Sequence, residues 1–314
     1  MPPIADITSN PMLQQYAQGA AQAAVMPVAD FLAPTVEVGA MQGRYWIHDK
    51  RTRFRIPDTV RSLGGPATQI LLSRGKGTYD CTPHALDTPV DELELNEDVN
   101  SDSVLGLIEE RADTVSAIGG LAHEKEVIDT ALDSVGAGTD VAFDAATDPV
   151  KYLDEVILAV RKSAIWGSNL GIRVLIGAEP WKGIKNHPKV LGRLPSGKRS
   201  RGDLQTVRLE DFGQMLIGEP EARTSFMVYD QSEEGAAQPD YEWVLNNVIL
   251  VFAAVPAPNR FDPSFMKTFR LRGYWMKLGS YTKEDGRGEV VKFDWSSDVQ
   301  VANSAACTRI NPSF

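Results

Sequence analysis

The sequence predicts an α+β fold, with helical and extended segments in separate stretches of chain. One long run repeats Leu105, Ile108, Ala112, Val115, Ile118 and Ala122 at spacings of three and four, the stripe of an amphipathic helix. Ahead of it, from Val36 to about Thr82, the chain is extended and broken by glycines. After it, strands dominate, separated too widely for the regular alternation of a doubly wound sheet.

The elements follow in order. Residues 1–34 are rich in Ala, Gln and Pro and poor in large core residues. Asn10 as a cap and Pro11 at the first position begin a helix from Met12 to Ala24. Its apolar face is thin, so tertiary partners must hold it. Pro27 and Pro34 then break the chain, and the segment reads as an arm lying on another surface. Val36 to Pro57 and Ala67 to Tyr79 form the two sides of a long hairpin, with Leu63-Gly64-Gly65-Pro66 as the turn. Such a ribbon is marginally stable without a surface beneath it.

Asp102 or Ser103 caps the long helix, Gly119-Gly120 is expected to weaken or kink it, and Ile128 and Leu132 continue it. A second helix has Asp148 at its cap, Pro149 at its first position and a buried stripe of Leu153, Val156, Ile157 and Val160, ending near Gly167. Arg173 to Gly177 is a short buried strand. Pro180 to Val190 forms a short helix carrying Trp181 and Ile184, and Thr206 caps another over Val207 to Met215. Strands follow at Ser225 to Tyr229, Trp243 to Val255 and Phe265 to Arg272. Val291, Phe293 and Trp295 alternate with Lys292 and Asp294, as a half-buried strand requires. No internal repeat is present.

The chain has 314 residues, enough for two domains or one elaborated one. Lys and Arg number 32 against 42 Asp and Glu, a net charge of −10 that argues against a general nucleic-acid binder. Cys81 and Cys307 lie far apart without metal-ligand spacing and read as free thiols in a reducing compartment. No uninterrupted apolar stretch approaches about twenty residues, so no membrane span is expected. The N-terminus lacks the pattern of a secretory signal.

The charge order is more informative. Along a strand, Arg51, Arg53 and Arg55 share one face and Thr52, Phe54 and Ile56 the other. Like charges so placed repel, and a monomer gains nothing from them. From Asp80 to Glu110 there is no Lys or Arg, while Asp87, Asp91, Glu92, Glu94, Glu97, Asp98 and Asp102 accumulate. Two readings are open. The Arg strand is a solvated hairpin edge guarded by charge, or it is a clasp for an acidic surface around Asp91, Glu92, Glu94, Glu97 and Asp98 on another copy.

No catalytic, cofactor-binding or metal site emerges. Gly192 to Arg199 nearly matches a phosphate-binding loop, but Arg199 stands where Ser or Thr must hold Mg²⁺ and Pro195 interrupts it. Lys182, Lys185, Lys189, Arg193, Lys198, Arg199 and Arg201 occur without an intervening acid, which suits either a solvated loop or an acidic neighbour. His48, His84, His123 and His187 lack ligand spacing. Glu109 and Glu110 read as surface charge. Trp166, Trp181, Trp243, Trp275 and Trp295 fall in patterned elements and read as core.

The order of arm, extended loop, long helix, α/β segment and returning strands resembles the major capsid proteins of tailed bacteriophages with the Hong Kong 97-like fold. Arg61-Ser62-Leu63-Gly64-Gly65-Pro66-Ala67-Thr68 is similar to the loop tip in a subset of these proteins. So is Val174-Leu175-Ile176-Gly177-Ala178-Glu179-Pro180-Trp181, continuing to Asn186-His187-Pro188. The resemblance implies an N-terminal arm over residues 1–35, an extended loop over 36–95 and a peripheral domain with the spine helix over 96–149. It implies an axial domain over 150–258 and returning peripheral strands over 259–314. It further implies a non-enzymatic subunit, without cofactor, that self-assembles into hexamers and pentamers of an icosahedral shell around double-stranded DNA. Assembly in the bacterial cytoplasm, a separate scaffolding protein, a portal protein, a decoration protein and proximity to packaged DNA belong to the same expectation. The competing readings are a cytoplasmic α+β enzyme with a nucleotide site near residues 192–199, and a minor decoration or tail subunit.

Overall fold

The computed structural model describes residues 28–48, 56, 58–61, 63–65, 67–70, 74–94, 104–164, 171–193, 207–232, 238–283 and 286–314. The expected helix from Met12 lies outside them. The helices are α1 (Ala29–Leu32), α2 (Val104–Val135), α3 (Pro149–Ser163), α4 (Ala178–Asn186), α5 (Pro188–Leu191) and α6 (Leu209–Met215). The early strands are β1 (Thr35–Val38), β2 (Gln42–His48), β3 (Arg74–Asp80), β4 (Thr82–Asp91), β5 (Thr139–Ala142) and β6 (Gly171–Ile176). There follow β7 (Glu221–Thr224), β8 (Val228–Asp230), β9 (Tyr241–Trp243) and β10 (Ile249–Ala254). The last are β11 (Met266–Leu271), β12 (Lys277–Thr282), β13 (Gly288–Val301) and β14 (Cys307–Ser313).

β13 organises the first five-stranded sheet. It pairs antiparallel with β4 over Gly288 to Ser297, with β12 over Glu289 to Asp294 and with β11 over Ser297 to Val301. β1 joins β11 in parallel, so Val36 and Val38 belong to this sheet and not to the hairpin expected from Val36. Val291, Phe293 and Trp295 are buried while Lys292 and Asp294 are partly exposed, as their alternation requires.

α2 packs its first half on that sheet. Ala112 and Val115 meet Val90, Leu278, Val291, Phe293 and Trp295 in one core, while Val127, Ile128 and Ala131 enter a second, larger core. At 32 residues and 1.5 Å per residue the helix is about 48 Å long, so a single rod spans both cores. The expected stripe fails in the middle: Ile118 is 52% exposed and Ala122 is exposed. The buried face there is Ser116, Gly119, Gly120, His123 and Glu124. The helix also runs unbroken through Gly119-Gly120. Two interior glycines cost about 1 kcal/mol each in propensity; at Gly119 the missing Cβ lets Phe293 and Trp295 of β13 pack close.

The second sheet has the order β5-β14-β10-β6-β7. Its central β10 is buried along its whole length, which is why Ile249 to Ala254 reads as a continuous apolar run. α3 packs Leu153, Ile157 and Val160 into the same core. Its cap is as the sequence indicates, with the Asp148 carboxylate accepting from Val150 N at 3.1 Å and Pro149 at the first position. The single helix expected from Pro180 to Val190 is two, because Pro188 lacks the N–H a continuous helix needs. α4 ends at Asn186, and the His187 ring Nδ1 caps α5 by accepting from Lys189 N. α6 begins at Leu209, two residues later than expected; Thr206 lies outside the described residues. The strand expected from Trp243 to Val255 is split into β9 and β10 by the bends of residues 244–248.

The hairpin is formed by β2 and β3, in register from Gln42 opposite Asp80 to His48 opposite Arg74. Gly43 faces Tyr79 and Tyr45 faces Gly77. Each tyrosine ring lies over its partner glycine, in space a Cβ would fill. The two rings then pack on Phe269 of β11, with centroids 4.6 Å away for Tyr79 and 5.4 Å for Tyr45. The ribbon's base is thus anchored on the first sheet, together with Val36, Val38 and Cys81.

Candidate functional site

The hairpin extends from this anchored base toward a connection whose large apolar side chains, among the described residues, lie open to water. Ile56 is 93% exposed, Val60 84% and Ile70 60%, and Leu63 is fully exposed. The connection has a few ties of its own: Asp58 accepts from Val60 N, and its carbonyl accepts from the Thr68 hydroxyl. Monomers rarely leave several large apolar groups together in water, and such groups mark interaction surfaces. Gly64 has φ +80°, so the turn at Leu63-Gly64 needs glycine there.

The charged residues around it are partly placed. Arg51, Arg53, Arg55, Glu97 and Asp98 lie outside the described residues. Asp91 ends β4 opposite Gly288, and its carboxylate accepts from Leu93 N at 2.9 Å. Glu94 lies 3.7 Å from Arg111 of α2, an ion pair within the chain. Glu92 is exposed and makes no ion pair among the described residues. Asp91, Glu92 and Glu94 are thus brought together on one edge, where β4 turns toward α2. Asp87, four residues earlier on the same face of β4 as Asp91, accepts from the Tyr281 hydroxyl.

Two buried polar groups escape sequence reasoning. Lys267 stands between Met266 and Thr268 on β11 and is fully buried. Its ammonium lies 3.0 Å from the Asp262 carboxylate and donates to the carbonyls of Asn259 and Asp262. Burial pushes the Lys267 pKa down, and Asp262 opposes that. Glu124 is likewise buried on α2, with one carboxylate oxygen accepting from the Ser225 hydroxyl at 3.1 Å. Burial pushes its pKa up to about 7 despite that hydrogen bond. Next to it, buried His123 packs edge-on against Trp275 and lies 3.7 Å from Glu126. The alternation around Lys267 and the helical stripe around Glu124 gave no signal for either.

The remaining candidates separate. Among the described residues no three His, Cys, Asp or Glu side chains come together as metal ligands. Cys81 and Cys307 are free and buried. Burial, with Asp298 and Asp80 nearby, raises the Cys81 thiol to about 11, and burial raises Cys307 as well, so both stay protonated at neutral pH. Of the near-match to a phosphate loop only Gly192 and Arg193 are described, and Arg193 reaches back to Asp148. Glu110 is exposed and Glu109 partly so; Trp295 is buried, and Trp181, Trp243 and Trp275 are partly buried. Trp166 and His48 are outside the described side chains. No helix among the described residues is long and apolar enough to cross a membrane.

No family model matches the chain. A curated relative, the major capsid protein of Pseudomonas phage JBD67, is 24% identical over 170 residues, which are 52% of this chain and 53% of the relative. The chain therefore spans about half the length of that relative in the match. Among solved structures, a phage-related protein from Bordetella bronchiseptica RB50 is 19% identical, covers 96% of this chain and 97% of its own, and superimposes with a TM-score of 0.70. A subunit of the mature capsid of bacteriophage PhiM1 is 10% identical, with 91% and 87% coverage and a TM-score of 0.55. The fold is therefore the α+β fold of phage capsid subunits.

Proposed function

We propose that this chain is the major capsid protein of a tailed phage, the subunit that closes the head shell around double-stranded DNA. The carrying observation is the β2–β3 hairpin, anchored at its base by Tyr45 and Tyr79 and exposing Ile56, Val60, Leu63 and Ile70 on the connection beyond. In an isolated chain those groups lose free energy to water; laid on a neighbour they regain roughly 25 cal/mol for each Å² covered. The likeness to capsid subunits over more than nine-tenths of the chain supports this reading of the surface.

In this reading the subunit has the Hong Kong 97-like organisation, with α2 as the spine helix. Its contacts are heterologous, each surface meeting a different one on the next copy, so they propagate around rings of five and six and then into a closed shell. Arg51, Arg53 and Arg55 meet the Asp91, Glu92, Glu94, Glu97 and Asp98 edge of another copy. Such charges set register and discrimination more than affinity. A net charge of −10 keeps the inner wall from adhering to packaged DNA. A separate scaffolding protein, a portal and a decoration protein complete the list of partners, and the role is structural, not enzymatic. Assembly takes place in the host cytoplasm.

Negative-stain microscopy of the purified chain, alone and co-expressed with the head proteins of its phage, tests this. Closed shells or capsomer rings are expected. A chain that stays a monodisperse monomer under every condition and turns over a substrate would sink it.

A further inference from the structure

The ribbon β8–β9 belongs to neither five-stranded sheet. Val228 pairs with Trp243, Tyr229 with Glu242 and Asp230 with Tyr241, and Val244 N donating to Met227 O adds one further bond. Two strands this short do not hold together in water by themselves, so the ribbon depends on what it lies on. Alternation sends Tyr241, 69% exposed, to the outer face and turns Tyr229 inward. The seat is α2. Met227 and Tyr229 pack on the main core, and Lys125 Nζ lies 4.7 Å from the Tyr229 ring centroid. Beside Lys125, the Glu124 carboxyl accepts from the Ser225 hydroxyl at 3.1 Å, just ahead of β8.

That carboxyl is fully buried but half satisfied. Its Oε2 has no hydrogen-bond partner among the described residues, and neither has the buried Oγ1 of Thr224 at the end of β7. The charged groups around it are engaged with one another. On α2, Lys125 pairs with Asp129, and His123 lies 3.7 Å from Glu126. Arg223 of β7 pairs with Glu221, and Arg270 of β11 with Glu37 of β1. Asp30 of α1 is acted on by His123, Arg270 and Arg223. Glu242 of β9 accepts from the Tyr229 hydroxyl, and Asp230 of β8 from the amides of Ser232 and Asp240. Arg309 of β14 donates to the Gly136 carbonyl. Beneath α2, the inward positions of β13 from Val291 to Ser297 and of β4 from Thr82 to Thr88 carry one titratable side chain, His84, which stacks on Trp295. None of these groups pairs with Glu124, on which burial and Ser225 act alone.

A neutral carboxyl can stay in such a place. A carboxylate there has one donor where water would supply several, and its burial is costly. Lifting the weaker partner is the least expensive relief. α2 is a 32-residue helix and β7 is tied into a five-stranded sheet, whereas the ribbon is two short strands. We propose that Glu124 is a proton-operated latch: neutral, it seats the β7–β8 connection and the β8–β9 ribbon on α2, and ionised, it lets that ribbon lift. The latch does not depend on the shell-subunit reading. Its signature follows from linkage. The seated carboxyl has a pKa of about 7 against an ordinary 4.5, so its hold is complete below about pH 4.5 and gone above about pH 7. Opening should grow roughly tenfold for each pH unit between those limits and level off above them.

Hydrogen exchange of the intact chain, read by mass spectrometry and corrected for the intrinsic effect of pH on exchange, tests this. From pH 5 to pH 8, opening at residues 226–230 and 241–244 is expected to rise about 50-fold in the wild type and less than about threefold in Glu124→Gln. The amides of β10, deep in the main core, are expected to open far less often than the ribbon. Lys125→Met removes a ribbon contact and leaves the carboxyl in place, so it should raise opening by the same factor at every pH. Ser225→Ala removes the one bond to the carboxyl and should raise opening more at pH 8 than at pH 5, a second reading if Glu124→Gln does not fold. Ribbon opening that is flat with pH, or that keeps its slope in Glu124→Gln, overturns the latch. So does ribbon opening that only matches β10, as in unfolding of the whole chain, or a Ser225→Ala effect equal at both pH values. Each of these outcomes leaves the shell reading standing.

Discussion

The Phe293 ring of β13 lies against the bare Cα of Gly119 on α2: a Cβ built there would stand 2.5 Å from Phe293 Cε1 and 3.4 Å from Trp295. Phe293 is fully buried and Trp295 nearly so, so neither ring can swing away. Gly119→Ala improves helix propensity by about 1 kcal/mol, yet overpacking a closed core costs about 1–3 kcal/mol. A net loss of stability is expected, read as a lower urea midpoint. Adding Phe293→Leu should recover part of it. A midpoint raised by Gly119→Ala alone would show that helix and sheet are not in this contact.

Glu124 makes stability depend on pH. Its folded pKa of about 7 lies above the ordinary 4.5, so the folded chain holds the proton more tightly than the unfolded one. The stabilisation from the protonated carboxyl is fully present below about pH 4.5, declines as pH rises, and is gone above about pH 7. At about 1.4 kcal/mol per pKa unit the whole effect is on the order of 3 kcal/mol. Glu124→Gln stays neutral and should flatten the profile, with urea midpoints above wild type at pH 8 and close to it at pH 5. The same slope in wild type and variant would place the titration elsewhere.

Lys267 and Asp262 form a buried pair that costs more to break than to replace. Lys267→Met leaves the Asp262 carboxylate buried without its cation, though Asn259 N and the Ser264 amide and hydroxyl still donate to it. A loss of about 3 kcal/mol is expected, at the low end for a broken buried pair. Lys267→Met with Asp262→Asn should lose less than the sum of the single changes. Additive losses in chemical unfolding would mean the two groups do not act together.

The hairpin prediction separates folding from assembly. Leu63 and Ile70 are exposed, and changing them to Asp, or reversing Arg51, Arg53 and Arg55 to Glu, alters groups that the proposed shell places between copies. Unfolding midpoints should move by no more than about 0.5 kcal/mol, while shells disappear from micrographs. Normal shells from the Arg-to-Glu variant would show that those arginines do not clasp a neighbour.

Much of the architecture is legible residue by residue. Asp148-Pro149 marks the start of α3 because a carboxylate cap and a missing N–H are local requirements. Val291, Phe293 and Trp295 mark β13 because a strand turns alternate side chains inward whatever lies beneath it. The hairpin glycines are legible as extended punctuation, but their use is not: Gly43 and Gly77 are seats for tyrosine rings on the opposite strand. The phase of α2 is hidden in the same way. Its apolar residues show the period, yet at Ile118 and Ala122 they point to the wrong face, because Phe293 and Trp295, some 175 residues later, demand the bare surface of Gly119.

The charge order that singles out Arg51, Arg53 and Arg55 belongs wholly to the primary structure, since charge and alternation need no neighbours to be counted. Burial is different. Whether Lys267 is paired, whether Glu124 is dry, and which aromatic face of β8–β9 stays open depend on segments far away in the chain. Period, caps and charge are properties of a short stretch; the direction a face points, and what covers it, exist only once distant stretches compete for the same volume.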